Sequence, residues 1–407
     1  MQFSITFWPH LAKQLVEAFN ETHDKGGLSV SQKQGTITLI EKDGKDPLYI
    51  KNYRPITLLN VDYKILSKVL AKRMKQVLSE IIHMDQVGYM ENRNIGEAIR
   101  LIDDMIFHCL SHDIGCYLIA VDFEKAFDSV SHSFLLTVLK RFGFGPSFCS
   151  WIKTCYNGIS SCVMNEGFST GYFKIERGVR QGDPLSPYLF LVVIETLAQA
   201  LRNEVSLKGI DFGEFEVKQI LYADDMTIFI RDKASVRLLQ NLFQAFSEIS
   251  GLKVNMDKTK ILVIGKNEGN VAQYQFGSIV TEIKILGITF ALETKRMEEV
   301  NYKEILSKIK RLLVWWKQRD LTIMGKIHLL KTYALSKLIY VSSSSVVPKW
   351  LFNEIQKVCF DFIWKGKDRI KRAIMYQDYK DGGLRMMNFE LFVKTQRMMW
   401  VKRLLYG

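Results

Sequence analysis

Asp122 closes the apolar run Cys116-Tyr117-Leu118-Ile119-Ala120-Val121. Asp224 and Asp225 sit inside Gln219-Ile220-Leu221-Tyr222-Ala223-Asp224-Asp225-Met226-Thr227-Ile228-Phe229-Ile230. A carboxylate ending one apolar strand and a carboxylate pair at the turn of an apolar hairpin offer oxygen-only ligands, which hard divalent cations prefer. Two such ions roughly 3.5–4 Å apart can clamp the attacking and the leaving oxygen of a phosphoryl displacement. Without cations, three carboxylates held together repel one another. An Asp-Asp pair alone is usually a solvated turn. Here β-forming flanks bury both strands and force the pair to one place.

Other segments must position these residues. Leu11, Leu15, Ala18 and Phe19 predict a helix from Pro9, at its first turn, to Asn20. Gly35 to Ile40 reads as a strand, Val61 to Ile82 as a long amphipathic helix and Ile95 to about Leu110 as another. Ser131 can cap a helix that stops near Gly143. In Gly178-Val179-Arg180-Gln181-Gly182-Asp183-Pro184, two glycines flank a basic and an amide side chain, and Asp183-Pro184 looks like an N-cap and first helical position. Such a loop lets donors approach a phosphate or a base. Val236 to Ile249 reads as a helix, Ile261 to Ile264 as a strand, and Ile283 to Phe290 as a strand with a central glycine. From Asn301 the pattern is helical, broken at Gly325, Pro348, Gly366 and Gly382-Gly383.

At 407 residues the chain has room for two or three domains. Tyr188 to Leu201 is its best apolar stretch, but it is short and carries Glu195 and Gln199, so no membrane span is expected. The start lacks a signal-peptide layout. Six cysteines without a C-x-x-C pair read as buried free thiols in a reducing compartment. An intracellular location, nucleus and/or cytoplasm, follows as the expectation. Of 56 Lys+Arg and 43 Asp+Glu, 24 and 11 lie from Glu293 onward, so that region carries the whole net charge of +13. Basic surface gathered in one region is the footprint of a phosphate-backbone partner.

Seven blocks in order resemble the reverse transcriptase of non-LTR, long interspersed element type retrotransposons. They are Asn52-Tyr53-Arg54-Pro55-Ile56-Thr57-Leu58-Leu59-Asn60, Asp85-Gln86-Val87-Gly88-Tyr89, Val121 to Asp128, and Gly178 to Pro187. Tyr222-Ala223-Asp224-Asp225, then Gly251-Leu252-Lys253-Val254-Asn255 with Lys258-Thr259-Lys260, and Leu286-Gly287 complete the series.

The resemblance implies an α+β right-hand polymerase with fingers, an antiparallel palm sheet and a mostly helical thumb. The expected domains are 1–115 for the N-terminal extension and fingers, 116–292 for the palm with a fingers insertion around 130–177, and 293–407 for the thumb. It implies that Asp122, Asp224, Asp225 and the Phe123 carbonyl hold two Mg²⁺ ions, with Mn²⁺ as an alternative. Phe127 takes the place of the side chain under the sugar that excludes a 2′-hydroxyl. Arg180, Gln181 and Gly182 form the loop that meets the incoming nucleotide and the templating base. Lys258 takes the place of the lysine that protonates pyrophosphate, Arg54 and Arg93 are triphosphate contacts, and Leu286-Gly287 grips the primer end. The rival readings are a core aromatic for Phe127, an uninvolved exposed lysine for Lys258, and surface ion pairing for both arginines.

An RNA template, a DNA primer and dNTPs are the implied partners, within a ribonucleoprotein containing the element RNA. Full-length members carry an endonuclease before the polymerase and usually a cysteine/histidine cluster after it. Neither pattern is present in this sequence, and the expectation is a fragment of a larger element. The alternative is a decayed or domesticated copy that binds nucleic acid without turnover.

Overall fold

The computed structural model describes residues 2–265 and 276–406. They fall into two compact units. One comprises residues up to Asn94 together with Asp113–Ile279, and the other Ile95–His112 together with the chain from Val280 onward.

The first unit is built on an antiparallel sheet. Its strands run in the order Ser278–Val280, Lys260–Ile264, Cys116–Val121, Asp225–Ile230, Gln219–Tyr222. Cys116–Val121 lies at the centre and is buried at every position but Ala120, which accounts for its unbroken apolar run. The register is fixed by Val121 opposite Met226 on one side and Ala120 opposite Lys260 on the other.

The helix Ser186–Asn203 is apolar nearly all round and correspondingly buried; Leu189, Phe190, Val193 and Leu197 belong to the same core as Ile119, Val121 and Ile228. Burying one such side chain contributes roughly 1.5–3 kcal/mol, and truncating a buried phenylalanine such as Phe190 to alanine costs roughly 3–5 kcal/mol. A second sheet joins Tyr53–Leu59, Gln34–Glu41 and Ser160–Asn165, with Phe168–Ser169 and Phe173–Lys174 at its end. Its Gln34–Glu41 and Ser160–Asn165 pair is parallel.

In the second unit the helix Ile95–Ser111 buries Ile99, Ile102, Met105, Ile106 and Cys109. Glu97 pairs with Arg403 at 3.3 Å and Arg100 lies over the Trp400 ring at 4.2 Å, so this helix belongs with the C-terminal one, Phe389–Tyr406. The unit therefore joins the helix Ile95–Ser111 to the chain from Val280 onward. All six cysteines are free and buried. No described helix is long and apolar enough to cross a membrane.

Four local expectations change. The first helix runs Gln2–Lys25 with Pro9 inside it, so Pro9 offers no N–H to the carbonyl one turn back. The helix after the glycine loop starts at Ser186, because the Asp183 carboxylate accepts from the Tyr63 hydroxyl at 3.0 Å, Ser67 Oγ and Leu185 N. Gly325 lies inside Ile323–Leu329, whose cap is Thr322. Residues 283–290 form a hairpin, Glu282–Ile285 against Ile288–Ala291, because Leu286 and Gly287 both take positive φ, 49° and 81°.

Candidate active site

Tyr222 pairs with Asp225, so Ala223 and Asp224 make a two-residue hairpin turn. Ala223 has a φ of 58°, a conformation that costs a non-glycine residue roughly 1–2 kcal/mol. Continuing the ladder one pair past Val121 and Met226 sets Asp122 across from Asp225, on one face of the sheet. Beyond Val121 the chain is held from the other side. Asn255 N donates to Asp122 O at 2.7 Å, Glu124 N donates to Lys253 O at 2.8 Å, and Phe123 bridges Val254. Those bonds skip Phe123, whose carbonyl is thereby turned away from the 253–255 segment. The Phe123 ring is buried beside Phe243 at 6.0 Å.

The three aspartates feel one another. Burial pushes the Asp225 carboxyl up to about 6, with repulsion from Asp224 and then Asp122 adding to it. Asp225 is nonetheless exposed to solvent. Asp224 is raised chiefly by burial; a backbone hydrogen bond works against that, and Asp122 adds a smaller push upward. Lys258 Nζ stands 3.3 Å from Asp122 Oδ2.

Among the described residues no group of three His, Cys, Asp or Glu side chains is closed around an ion position. The donor set nevertheless fits divalent metal ions. It is oxygen-only and its members repel one another, and the Lys258 ammonium stands beside Asp122.

The glycine loop docks between the segment after Asp122 and the second sheet. Gly178 N donates to Val130 O at 2.7 Å, Val179 N to Phe127 O at 2.6 Å, and Thr57 N to Gln181 O at 2.7 Å. Gly182, at φ 105°, could not carry a side chain, since a Cβ would meet Thr57 O at 2.7 Å. Gln181 is half-buried and donates from Nε2 to the Asp128 carboxylate at 3.2 and 3.3 Å, whose pKa burial raises. The half-buried Phe127 ring stacks on Phe190 with centroids 4.7 Å apart.

Two of the anticipated arginines face inward. Arg180 is 5% exposed, its guanidinium over the Tyr63 ring at 4.7 Å and Nη2 donating to Cys155 O. Its Nε and Nη1 lie buried without a partner. Arg93 donates to three carbonyls, His83 O and Gln86 O at 2.6 Å and Ile82 O at 3.0 Å. In this conformation both guanidiniums hold loops. Arg54 is exposed on Tyr53–Leu59. Leu286 and Gly287 lie in the other unit, where the Tyr340 hydroxyl donates to Leu286 O.

Sequence reasoning passed over Gln86 and Gly88 as individuals and Asp128 as the partner of Gln181. Only their presence inside the recognised blocks signalled them.

A family model described as reverse transcriptase (RNA-dependent DNA polymerase) matches residues 40–290. The whole chain is 29% identical to the "Transposon TX1 uncharacterized 149 kDa protein" of Xenopus laevis, of which it covers 31%. Over 277 residues it is 29% identical to the Pol polyprotein from type-2 retrotransposable element R2DM of Drosophila melanogaster, covering 64% of this chain and 25% of that protein. The chain thus spans between a quarter and a third of these two relatives. Apo telomerase from Candida tropicalis aligns with a TM-score of 0.50 at 13% identity, over 96% of this chain and 67% of that one, and shares the right-hand polymerase fold.

Proposed function

Because the chain belongs to the reverse transcriptase (RNA-dependent DNA polymerase) family, among the non-LTR retrotransposon proteins, we propose that it extends a DNA primer with dNTPs on an RNA template during retrotransposition. The observation that carries this reading is the carboxylate arrangement. Asp122 and Asp225 share a register, Asp224 forms the turn, and burial, then repulsion from Asp224 and Asp122, pushes the Asp225 carboxyl up to about 6.

The primer 3′-oxygen attacks the α-phosphorus of the incoming nucleotide, the new P–O bond forms, and the bond to pyrophosphate breaks. Reverse transcriptases use divalent metal ions; two Mg²⁺, or Mn²⁺ in their place, held by Asp122, Asp224, Asp225 and the Phe123 carbonyl, would lower the 3′-hydroxyl pKa and neutralise the phosphates. Lys258, next to Asp122, gives its proton to the departing pyrophosphate. Gln181 and Gly182 bring a side-chain amide and close backbone to the nucleotide and the templating base. Phe127 lies under the sugar, Arg54 meets the triphosphate, and Leu286-Gly287 holds the primer end. The protein contributes mainly position and charge stabilisation. The excess of basic residues from Glu293 onward suits nucleic acid, and the element RNA is the expected ribonucleoprotein partner.

Primer extension by the purified chain on RNA and DNA templates, with Mg²⁺ and with EDTA, tests the reading. Extension on RNA that EDTA stops supports it. No extension on either template overturns it.

A further inference from the structure

The strand Gln219–Tyr222 is the edge of its sheet, so the turn that follows has a pairing strand on one side only. Ala223 is 4% exposed, and a buried peptide group left without partners is costly. The Gln86 side chain, itself 1% exposed, supplies both partners: its Oε1 accepts from Ala223 N at 2.9 Å and its Nε2 donates to Ala223 O at 3.2 Å. Gly88 N also donates to Oε1 at 2.9 Å, which fixes the way round the carboxamide stands. The backbone of the same segment runs along the edge strand, with Leu221 N donating to Asp85 O and Val87 N to Leu221 O, both at 2.8 Å. Gly88 presses against the turn so closely that a Cβ there would meet Ala223 N at 2.3 Å.

This segment is anchored from behind. The Asp85 carboxylate receives Arg202 at 2.7 and 2.9 Å and Gln219 Nε2 at 2.9 Å, while Arg93 holds Gln86 O at 2.6 Å. We propose that Gln86 is a positioning residue for the metal-binding aspartates, its carboxamide acting as the missing strand that sets the Ala223 peptide and hence Asp224 and Asp225. The inference rests on the polymerase reading and adds a residue to it. Gln86 acts through the turn alone.

Gln86→Met replaces the carboxamide with an apolar chain of similar length, and Gln86→Glu keeps the acceptor while losing the donor. For each full-length variant, four quantities are compared with the parent: thermal midpoint, template–primer affinity in EDTA, single-turnover extension rate, and Mn²⁺ affinity from the EPR signal of the free ion. Groups that orient metal ligands typically account for about 10–100-fold in affinity or activity. Gln86→Met, which strands the Ala223 peptide groups, is expected to lower the thermal midpoint while the chain stays folded at the assay temperature. There it should lower Mn²⁺ affinity about tenfold and the extension rate about 100-fold, with template–primer affinity unchanged. Gln86→Glu should fall between Gln86→Met and the parent. Parent-like Mn²⁺ affinity and rate in Gln86→Met overturn the proposal, as does a loss of rate that only follows a loss of folding or of template–primer binding. If the parent extends no primer, the polymerase reading fails; the Mn²⁺ comparison still decides whether Gln86 positions the turn.

Discussion

Lys258 carries its ammonium to 3.3 Å from the Asp122 carboxylate, and the chain that leads to it is bonded to Asp122 as well. Asn255 N donates to Asp122 O, Lys258 N to Asn255 O, and Asp122 N to Thr259 Oγ1. Side chain and backbone thus hold the lysine to the strand end that bears the aspartate. The Lys258 side chain is 65% exposed.

Lys258→Ala should slow nucleotide addition by about 100-fold, the lower part of the range for a positioned general acid. Template–primer affinity should stay the same. Single-turnover extension measures this, and an unchanged rate would mean that Lys258 only neutralises Asp122.

Asp224→Asn is expected to abolish extension while leaving template–primer binding nearly intact, because it removes a metal ligand and no phosphate contact. The check is extension alongside a binding titration. A mutant that extends primer nearly as fast as the parent removes Asp224 from the metal site.

The pH dependence of stability has a definite sign. Asp225 ionises less readily in the folded chain, at about 6, than at its ordinary value of 3.8. Between those values the folded state binds more protons than the unfolded one, so this group's contribution to stability falls as pH rises. Its penalty is absent below about 3.8 and complete above about 6. In metal-free buffer, Asp225→Asn should therefore melt higher than the parent above that window and by no such margin below it. Thermal midpoints across the pH range decide, and a difference that does not vary with pH would count against the shift.

Phe127→Val should admit ribonucleotides, lowering the preference for dNTPs by about tenfold or more, on the scale at which one pocket group discriminates. Because the ring stacks on Phe190, a lower thermal midpoint is expected as well. Competing single-nucleotide incorporations give the ratio. An unchanged ratio with a lowered midpoint would assign Phe127 to the core alone.

The apolar runs around Asp122 and the Asp-Asp turn announced the palm because each was bounded by residues that end strands, and their register follows from a buried face. Gln86 was silent for a physical reason: a polar side chain that replaces a peptide partner has no periodicity, and Ala223 is 137 positions away. The inward turn of Arg180 and Arg93 was hidden likewise, since the carbonyls and the ring they meet come from other segments. Helix Ile95–Ser111 showed its apolar stripe plainly, but a stripe does not say which core covers it.

Lys317, Arg319, Lys365, Lys367 and Arg369 are all exposed in the C-terminal unit. Replacing all five with glutamine should flatten the slope of log affinity against log salt on double-stranded DNA by about 4–5 units, if each meets a phosphate. Titrations at several salt concentrations measure the slope. An unchanged slope would make these charges a solubility feature.

The helix Ile95–Ser111 has a further consequence for the order in which the chain is made. Its apolar face leaves the ribosome long before Trp400 and Arg403, which meet Arg100 and Glu97. Until the helix Ser336–Ser344 that packs on it emerges, Ile99, Ile102 and Met105 lack that native cover, and the growing chain carries a hydrophobic segment awaiting its partner. A stop codon ahead of Ser336 would therefore do more than remove the rest of that unit. It would leave nascent chains with a sticky helix between the segment of Gln86 and the strand of Asp122, a target for chaperones and proteases.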